Sequence, residues 1–187
     1  MADDYTEIDE SLQAWIARQH MFFVATAPLA RDGLINCSPK GLDALRVLGP
    51  KKLAYVDTGG SGIETVAHLK ENGRIVLMMC AFDGRPRIMR FYGAGTPLEP
   101  HQDGFDKLLD EFPPMPAARN IIVVEVDRII KSCGYGVPLY EFKKQRDSLS
   151  NYFDNQSEDD ILAYRRKRNS ESLDGLPGLS TPEIPAE

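Results

Sequence analysis

The sequence lacks three features that would place the protein in a membrane, outside the cell or on a nucleic acid. No apolar run approaches the ~18 residues of a membrane span. The acidic segment 1–7 lacks the basic start and apolar stretch of a secretory signal. Because 22 Lys and Arg stand against 28 Asp and Glu, the net charge is −6, whereas nucleic-acid-binding faces are usually basic. We therefore expect a soluble, cytoplasmic protein that binds neither membranes nor nucleic acid.

Cysteines and the common nucleotide-binding motifs are also scarce. The three cysteines, Cys37, Cys80 and Cys133, are widely spaced, and no CxxC or HxxxH spacing indicates zinc. No GxGxxG follows a predicted strand and no Walker loop occurs, which argues against Rossmann and P-loop proteins. We expect reduced thiols, no disulfide framework and no metal site.

Length and composition predict a single domain. The 187 residues fall within the ~100–200 of a typical domain, which we place at residues 1–170. Segment 171–187 is rich in Pro, Gly and Ser and has no periodicity. We expect this tail to drape over the surface or to be disordered.

Short apolar runs separated by turn residues predict about seven strands, near 21–27, 34–38, 44–48, 53–57, 75–82, 87–96 and 121–126. Helices are predicted near 7–19, 61–71 and 101–112, with a last one starting at Ser157. Capping-box spacings over 6–9 and 61–64 mark two of the helix starts. Because short strands joined by hairpins favour antiparallel sheets, the predicted fold class is mainly β (α+β), a small barrel with flanking helices.

The loop from Thr58 to Gly62 is the first candidate site. Its three glycines allow close approach of a ligand, and it leads into a helix whose first N–H groups suit a phosphate. The alternative is an ordinary strand-to-helix loop in which Ser61 simply caps the helix.

Two further segments carry polar groups suited to an anion. In an extended chain Asn36, Ser38 and Lys40 face one way, and a hydroxyl beside a lysine can hold a phosphate. The alternative is a solvated strand end. Arg87 and Arg90 stand next to the most apolar strand and point to opposite faces if that strand is regular; the alternative is two ordinary surface arginines.

Tyr135 lies between two glycines, where its ring can stack on a flat ligand. The alternative is a turn tyrosine with no ligand. The cysteines Cys37 and Cys133 have no histidine partner in the sequence, so nothing indicates a Cys–His nucleophile.

Taken in order, these segments resemble the pyridoxamine 5′-phosphate oxidase-like family of FMN-binding split barrels. The resemblance covers about residues 20–138. Segment 53–58, the Gly/Ser loop and segment 64–77 are similar to that family's strand, short helix and following strand. Segment 87–93 resembles its "R-x-x-R-x-x-G" strand, and segment 174–179 is similar to uncharacterised members.

The resemblance implies a Greek-key split β-barrel that forms a homodimer and binds FMN in two clefts at the subunit interface. By analogy, Lys40 and one arginine meet the phosphate, Thr58 and the loop backbone meet the ring or ribityl chain, and segment 132–138 closes the site. The cofactor-binding residues that we assign in this way are Ser38, Lys40, Thr58, Ser61, Gly62, Glu64, Thr65, Arg87, Arg90 and Tyr135.

The sequence also departs from true pyridoxamine phosphate oxidases. Glu64 and Thr65 stand where those enzymes carry a basic pair, Ile88 stands where they have glutamine, and their C-terminal Trp and Arg pattern is missing. We therefore predict an FMN-dependent oxidoreductase that acts on a small molecule other than pyridoxamine phosphate. The alternatives are a flavin-binding or sensing protein without turnover, and a barrel that binds haem or a deazaflavin, with His20 or His101 as axial ligand.

Overall fold

The structure, a computed structural model, describes residues 3–180 of the chain. It contains eight strands: β1 (Asp3–Tyr5), β2 (Phe22–Thr26), β3 (Asn36–Lys40), β4 (Leu45–Gly49), β5 (Lys52–Asp57), β6 (Arg74–Cys80), β7 (Ile88–Leu98) and β8 (Asn120–Ser132). Five helices accompany them: α1 (Glu10–Ile16), α2 (Glu64–Asn72), α3 (Phe105–Leu109), α4 (Ser148–Phe153) and α5 (Glu158–Asn169).

All strand pairs are antiparallel, and seven strands follow one path in the order β3-β2-β6-β7-β8-β5-β4. The short β1 pairs with the end of β8, off this path. The sheet curls into a split barrel with β3 and β4 as its end strands, which confirms the predicted mainly β class with flanking helices.

The main core fills the concave side of the curled sheet. Alternation along β2 buries Phe22 and Val24, and α1 adds Leu12, Trp15 and Ile16. A smaller cluster packs α3 against the other side of β5 and β8. The β2–β3 register matters for the site, because it pairs Thr26 with Asn36, Val24 with Ser38 and Phe22 with Lys40. Paired residues share a face of the sheet, so the polar side chains of β3 face the barrel interior.

Two predicted helix starts are wrong. Helix α1 begins at Glu10 and Asp9 caps it, accepting the Leu12 N–H at 2.7 Å, so Thr6 is not the cap. Helix α2 follows Ile63, with no side-chain cap, so Ser61 does not form the predicted box. Gly73 (φ 72°) forms a left-handed C-cap of α2, and α5 starts as predicted at Ser157, in a capping box with Asp160.

Other boundaries also shift. Only residues 105–109 of the predicted helix 101–112 are α-helical, whereas the strand predicted at 121–126 continues to Ser132. Strand β1 and helix α4 were not predicted; both are short, and β1 consists largely of acidic residues.

The start of the predicted tail is packed on the domain. Leu179 N donates to Asn169 O at 2.8 Å, and Lys70 Nζ bridges Ser180 Oγ (2.9 Å) and the buried Glu99 carboxylate (2.8 Å). Segment 171–180 therefore drapes over α2, and the rest of the predicted tail, 181–187, lies outside the described residues. No helix within residues 3–180 combines the length and the apolar character needed to cross a membrane.

Candidate functional site

A cavity of about 330 Å³ opens where β3, the end of β5 and the start of α2 meet. Segment 36–44 forms one wall, and the 58–62 loop with the first turn of α2 forms another. Arg119, just before β8, and Leu149 of α4 complete the lining. Its size lies at the lower end of the ~300–1,000 Å³ of ligand pockets.

The cavity brings together six of the ten predicted cofactor-binding residues, Ser38, Lys40, Thr58, Gly62, Glu64 and Thr65. The other four, Ser61, Arg87, Arg90 and Tyr135, do not line it. The predicted serine–lysine strand and the predicted glycine loop therefore face each other across one space.

A buried carboxylate organises the cationic side of this cavity. Asp57, at the end of β5, is 1% exposed. Its Oδ1 lies 2.6 Å from Lys40 Nζ, and its Oδ2 accepts from Arg119 Nε at 2.9 Å and Asn120 Nδ2 at 3.2 Å. One carboxylate thus holds two cations that line the cavity, so the three groups together carry one net positive charge.

The charges around Asp57 decide its ionisation. Burial by itself raises the pKa of the carboxyl, but Lys40 and Arg119 outweigh it and hold the pKa of Asp57 below its ordinary 3.8. Burial raises the pKa of the neighbouring Tyr55 well above its ordinary 10.0, and the Asp57 charge adds to the effect. At neutral pH the carboxylate is therefore ionised and the phenol is neutral.

Sequence reasoning missed Arg119. Its guanidinium also donates from Nη1 to Gly60 O at 2.9 Å, so it joins the end of β5 to the glycine loop. The Pro-rich segment 113–118 brings it there, and no local motif marks it. The one signal was a charged residue just before the apolar run 121–124, where burial requires an anionic partner.

The glycine loop is held mainly by protein contacts. A Cβ at Gly59 would collide with the Phe153 ring of α4, so the missing side chain makes room for that ring. Gly60 O accepts from both Arg119 and Asn169 Nδ2, each at 2.9 Å. The loop is therefore clamped between β8, α4 and α5.

Two groups at the cavity lack protein partners. Ser38 Oγ is buried and has no hydrogen-bond partner within residues 3–180. Helix α2 has no capping side chain, so the N–H groups of its first turn, where Thr65 lies, receive no side-chain acceptor. A buried hydroxyl and an uncapped helix start are what a polar, anionic ligand would satisfy.

An amide and hydroxyl network joins the two walls of the cavity. Asn36 Nδ2 donates to Thr65 Oγ1 at 2.9 Å and to Thr26 Oγ1 at 3.3 Å. Thr26 Oγ1 also lies 2.9 Å from His68 Nδ1, inside the domain. The residues after β3 add backbone strain, because Leu42 (φ 62°) and Asp43 (φ 57°) are both left-handed. Such strain is often found at functional sites.

The two predicted arginines lie at the start of β7, outside the cavity lining. Arg87 sits over the Trp15 ring, 5.3 Å from its centroid, and Arg90 Nη1 donates to Ser132 Oγ at 3.1 Å. On β8 Arg90 pairs with Ile130, ten residue steps from Asn120 beside Asp57, which is roughly 30 Å along that strand at ~3.3 Å per residue. Tyr135 is 82% exposed in the loop after β8.

No histidine lines the cavity in the described part of the chain. His20 stacks on Phe142 with ring centroids 3.6 Å apart, His101 is exposed, and His68 is buried on α2. The ionisable side chains that line the cavity are Lys40, Glu64 and Arg119. The arrangement can bind an anion and hydrogen-bond a polar ligand, but it offers no histidine as an axial ligand.

The fold and this cavity define an antiparallel split barrel with a cleft, lined by two cationic side chains, between its end strand and a helix start. A sequence model of the family described as pyridoxamine 5′-phosphate oxidase matches residues 8–133. The chain is also 38% identical over 195 residues to the pyridoxamine 5′-phosphate oxidase family protein ustO of Aspergillus flavus, covering 94% of this chain and 77% of that one. The chain therefore belongs to the pyridoxamine 5′-phosphate oxidase family.

Solved structures agree on the fold. HupZ of Group A Streptococcus superposes with a TM-score of 0.54 at 19% identity, covering 71% of this chain and 99% of HupZ. A provisionally assigned pyridoxamine 5′-phosphate oxidase from Lactobacillus delbrueckii gives a TM-score of 0.51 at 16% identity, covering 67% of this chain and 97% of that one. At these identities the likeness concerns the fold.

Proposed function

We propose that the protein binds FMN in this cavity and acts as an oxidoreductase on a small molecule. The observation that carries the proposal is the convergence of Lys40, Arg119 and the uncapped start of α2 on one cavity, in a member of this family. A bound flavin supplies the electron-transfer chemistry, while the protein supplies binding, orientation and electrostatics.

The charges favour one side of the cavity for the phosphate. Lys40 and Arg119 carry two positive charges against the one negative charge of Asp57, which leaves one to attract an anion. Glu64, at the first position of α2, repels a phosphate. The phosphate therefore lies toward Lys40 and Arg119, within reach of the first-turn N–H groups.

The neutral groups suit the rest of the ligand. The unpartnered Ser38 hydroxyl, together with Thr58 and Thr65, offers hydrogen bonds to a polyhydroxyl chain or to a ring edge. These residues hold and orient the ligand; the cavity lining contains no histidine, cysteine or tyrosine to move a proton.

A homodimer would bring the remaining predicted residues to the cofactor. Arg87, Arg90 and Tyr135 do not line the cavity of their own subunit. If they contact the cofactor, as the family resemblance implies, they do so from a second subunit. We therefore propose two sites per dimer, each open on the side that the partner covers, with segment 132–138 as part of that cover.

The first experiment identifies the ligand. The protein is purified without added cofactor, its visible spectrum is recorded, and any extracted cofactor is weighed by mass spectrometry. FMN titration with fluorescence quenching then measures affinity. We expect a yellow protein or tight FMN binding; a colourless protein that leaves FMN fluorescence unchanged would exclude the proposal, and a haem or deazaflavin mass would replace it.

A second candidate, a flavin-binding protein without turnover, is favoured by one observation. Of the three ionisable side chains at the cavity, Lys40 and Arg119 are already paired with Asp57, which leaves few groups for acid–base work. Stopped-flow reduction with NADH or NADPH separates the two candidates, because fast, saturable reduction of the bound flavin supports an enzyme.

A further inference from the structure

A buried histidine is linked to the cavity wall through a threonine. His68 lies on the inner face of α2, and none of its surface is exposed. Its Nδ1 is 2.9 Å from Thr26 Oγ1, which also accepts from Asn36 Nδ2 at 3.3 Å. Asn36 and Thr65 line the cavity, whereas His68 and Thr26 do not. Hydrogen bonds thus join His68, outside the cavity, to Asn36 and Thr65 on the cavity wall.

The imidazole of His68 is neutral and makes one hydrogen bond. Burial lowers the pKa of His68 below its ordinary 6.5, with Asp174, Glu64 and Glu71 opposing the effect, so the ring is neutral at pH 7. Nε2 has no hydrogen-bond partner within residues 3–180. Either tautomer supports the bond to Thr26, because Nδ1–H can donate to Thr26 Oγ1 and a bare Nδ1 can accept from the Thr26 hydroxyl.

The Asn36 hydrogen bonds run in the same direction with either tautomer. Thr26 Oγ1 accepts from Asn36 while it bonds His68 Nδ1, and Asn36 uses its second N–H on Thr65. With both hydrogens committed, the amide of Asn36 can offer a ligand only its oxygen.

Strand β3 needs such an anchor. It is an end strand of the sheet, paired with β2 alone among the described strands, and it carries the Ser38 and Lys40 side chains of the cavity. The network ties the start of β3 to the first two turns of α2, across the cavity. A change at His68 would therefore alter the spacing and orientation of both walls.

We propose that His68 is a positioning residue that, through Thr26, orients the Asn36 amide and holds β3 against α2 at the ligand cavity. Its effect on ligand binding rests on the proposed function, but its effect on Asn36 does not. Two variants separate positioning from simple packing. His68→Leu keeps an apolar side chain of similar bulk but removes the nitrogen, whereas His68→Asn restores an N–H donor near the position of Nδ1.

The first measurement is FMN affinity, by fluorescence quenching, at temperatures where urea titration shows each variant to be folded. We expect His68→Leu to weaken binding at least tenfold and His68→Asn to remain within about threefold of the wild type. Thr26→Val, which cuts the link without touching His68, should match His68→Leu. If His68→Leu does not fold, Thr26→Val takes its place in the comparison with the wild type.

The second measurement uses the protein without cofactor. Nitrogen-15 NMR reports the solvent exchange of the Asn36 side-chain amide. We expect faster amide exchange in His68→Leu and Thr26→Val than in the wild type and His68→Asn. The Asn155 amide, bonded to Asn151 O at 2.7 Å in the α4–α5 region, is the internal control and should not change.

The outcomes are distinguishable. If the wild-type protein binds no FMN, the proposed function is wrong. If the exchange of the Asn36 amide still responds to the His68 and Thr26 substitutions as expected, the positioning role is nevertheless supported. An Asn36 amide indifferent to both residues, or a His68→Asn variant that binds FMN as weakly as His68→Leu, would overturn the positioning role.

Discussion

Arginines at the two ends of β8 have opposite surroundings. Arg119, before the first residue of β8, is buried and bonded to the buried Asp57 and to Gly60 O. Arg90, paired with Ile130 near the other end, contacts the Ser132 hydroxyl and has no carboxylate partner among the ion pairs recorded for the described residues. The buried arginine is held by an ion pair within its own subunit, whereas Arg90 is half-buried and bonds a neutral hydroxyl.

This contrast shows why residue type alone misassigns a site. The sequence pattern favoured the two arginines of segment 87–90, yet the cation that completes the cavity lies 29 residues further along the chain than Arg90. The deciding factor is the buried carboxylate of Asp57, which draws Arg119 and Lys40 together because a charge inside a protein requires a partner.

The largest expected effect follows from removing that carboxylate. Asp57→Asn leaves Lys40 and Arg119 as two like charges without a counter-ion, and breaking a buried ion pair from one side costs about 3–5 kcal/mol. Urea unfolding measures the loss. The matched control is Asp4→Asn at the far end of β8, where the Asp4–Arg128 pair is exposed (59% and 63%) and should contribute about 0–1 kcal/mol. Equal losses of unfolding free energy in Asp57→Asn and Asp4→Asn would contradict the proposed difference between the buried and the exposed ion pair.

The same carboxylate should govern stability in acid. Since the folded pKa of Asp57 lies below the ordinary 3.8, the unfolded chain binds the proton first as the pH falls. The stabilisation is therefore complete above pH 3.8 and is lost as the pH drops through the lower folded pKa. Asp57→Asn resembles the protonated state, so the difference in unfolding free energy between it and the wild type should narrow below pH 3.8. A constant difference down to pH 2 would show that Asp57 is not the titrating group.

Lys40 should affect ligand affinity more than stability, because Arg119 and Asn120 still hold Asp57 when the lysine is removed. A charge-assisted hydrogen bond contributes about 1.5–3 kcal/mol, so Lys40→Ala should weaken FMN binding roughly 10- to 100-fold. Lys52→Ala is the control, because Lys52 pairs with Glu125 (2.6 Å) on an exposed part of β5. Unchanged FMN affinity in Lys40→Ala would remove the lysine from the phosphate site.

The strands and the serine–lysine face were predictable because their signals are local. Alternation and β-branched runs located β2 to β7 to within a few residues, and period-2 geometry placed Ser38 and Lys40 on one face. Wherever tertiary contacts compete with local preference, the prediction was wrong. Ser61 has the sequence of a helix cap, yet the loop around it is held by Arg119, Asn169 and Phe153, and α2 starts without a cap.

The remaining parts of the site depend on contacts between residues far apart in the chain. Asp57, Lys40 and Arg119 span 80 positions, and His68 reaches Asn36 only through Thr26 on a third element. Pairings of this kind arise from the order of strands in the sheet, which neither periodicity nor motif spacing encodes.

The smallest expected effect concerns Arg87 and Arg90, the arginines outside the cavity lining. Arg87→Ala combined with Arg90→Ala should weaken FMN binding only modestly, roughly two- to fivefold per arginine, since exposed charge pairs contribute about 0.5–1 kcal/mol. Mixing subunits shows where these arginines act. Consider a mixed dimer of one Lys40→Ala subunit and one subunit that carries both arginine substitutions. If the arginines act in the partner's cavity, this dimer contains one intact site, because the Lys40 of the second subunit lies beside the unchanged arginines of the first.

In that mixed dimer, half of the sites should bind FMN with wild-type affinity. If the arginines act within their own subunit, every site in the mixture carries a defect and no wild-type affinity appears. Native mass spectrometry gives the fraction of mixed dimers, and FMN titration counts the recovered sites against that fraction. Recovery of wild-type affinity requires both a dimer and a site shared between its subunits. The experiment therefore tests the proposed homodimer and the role of Arg87 and Arg90 together.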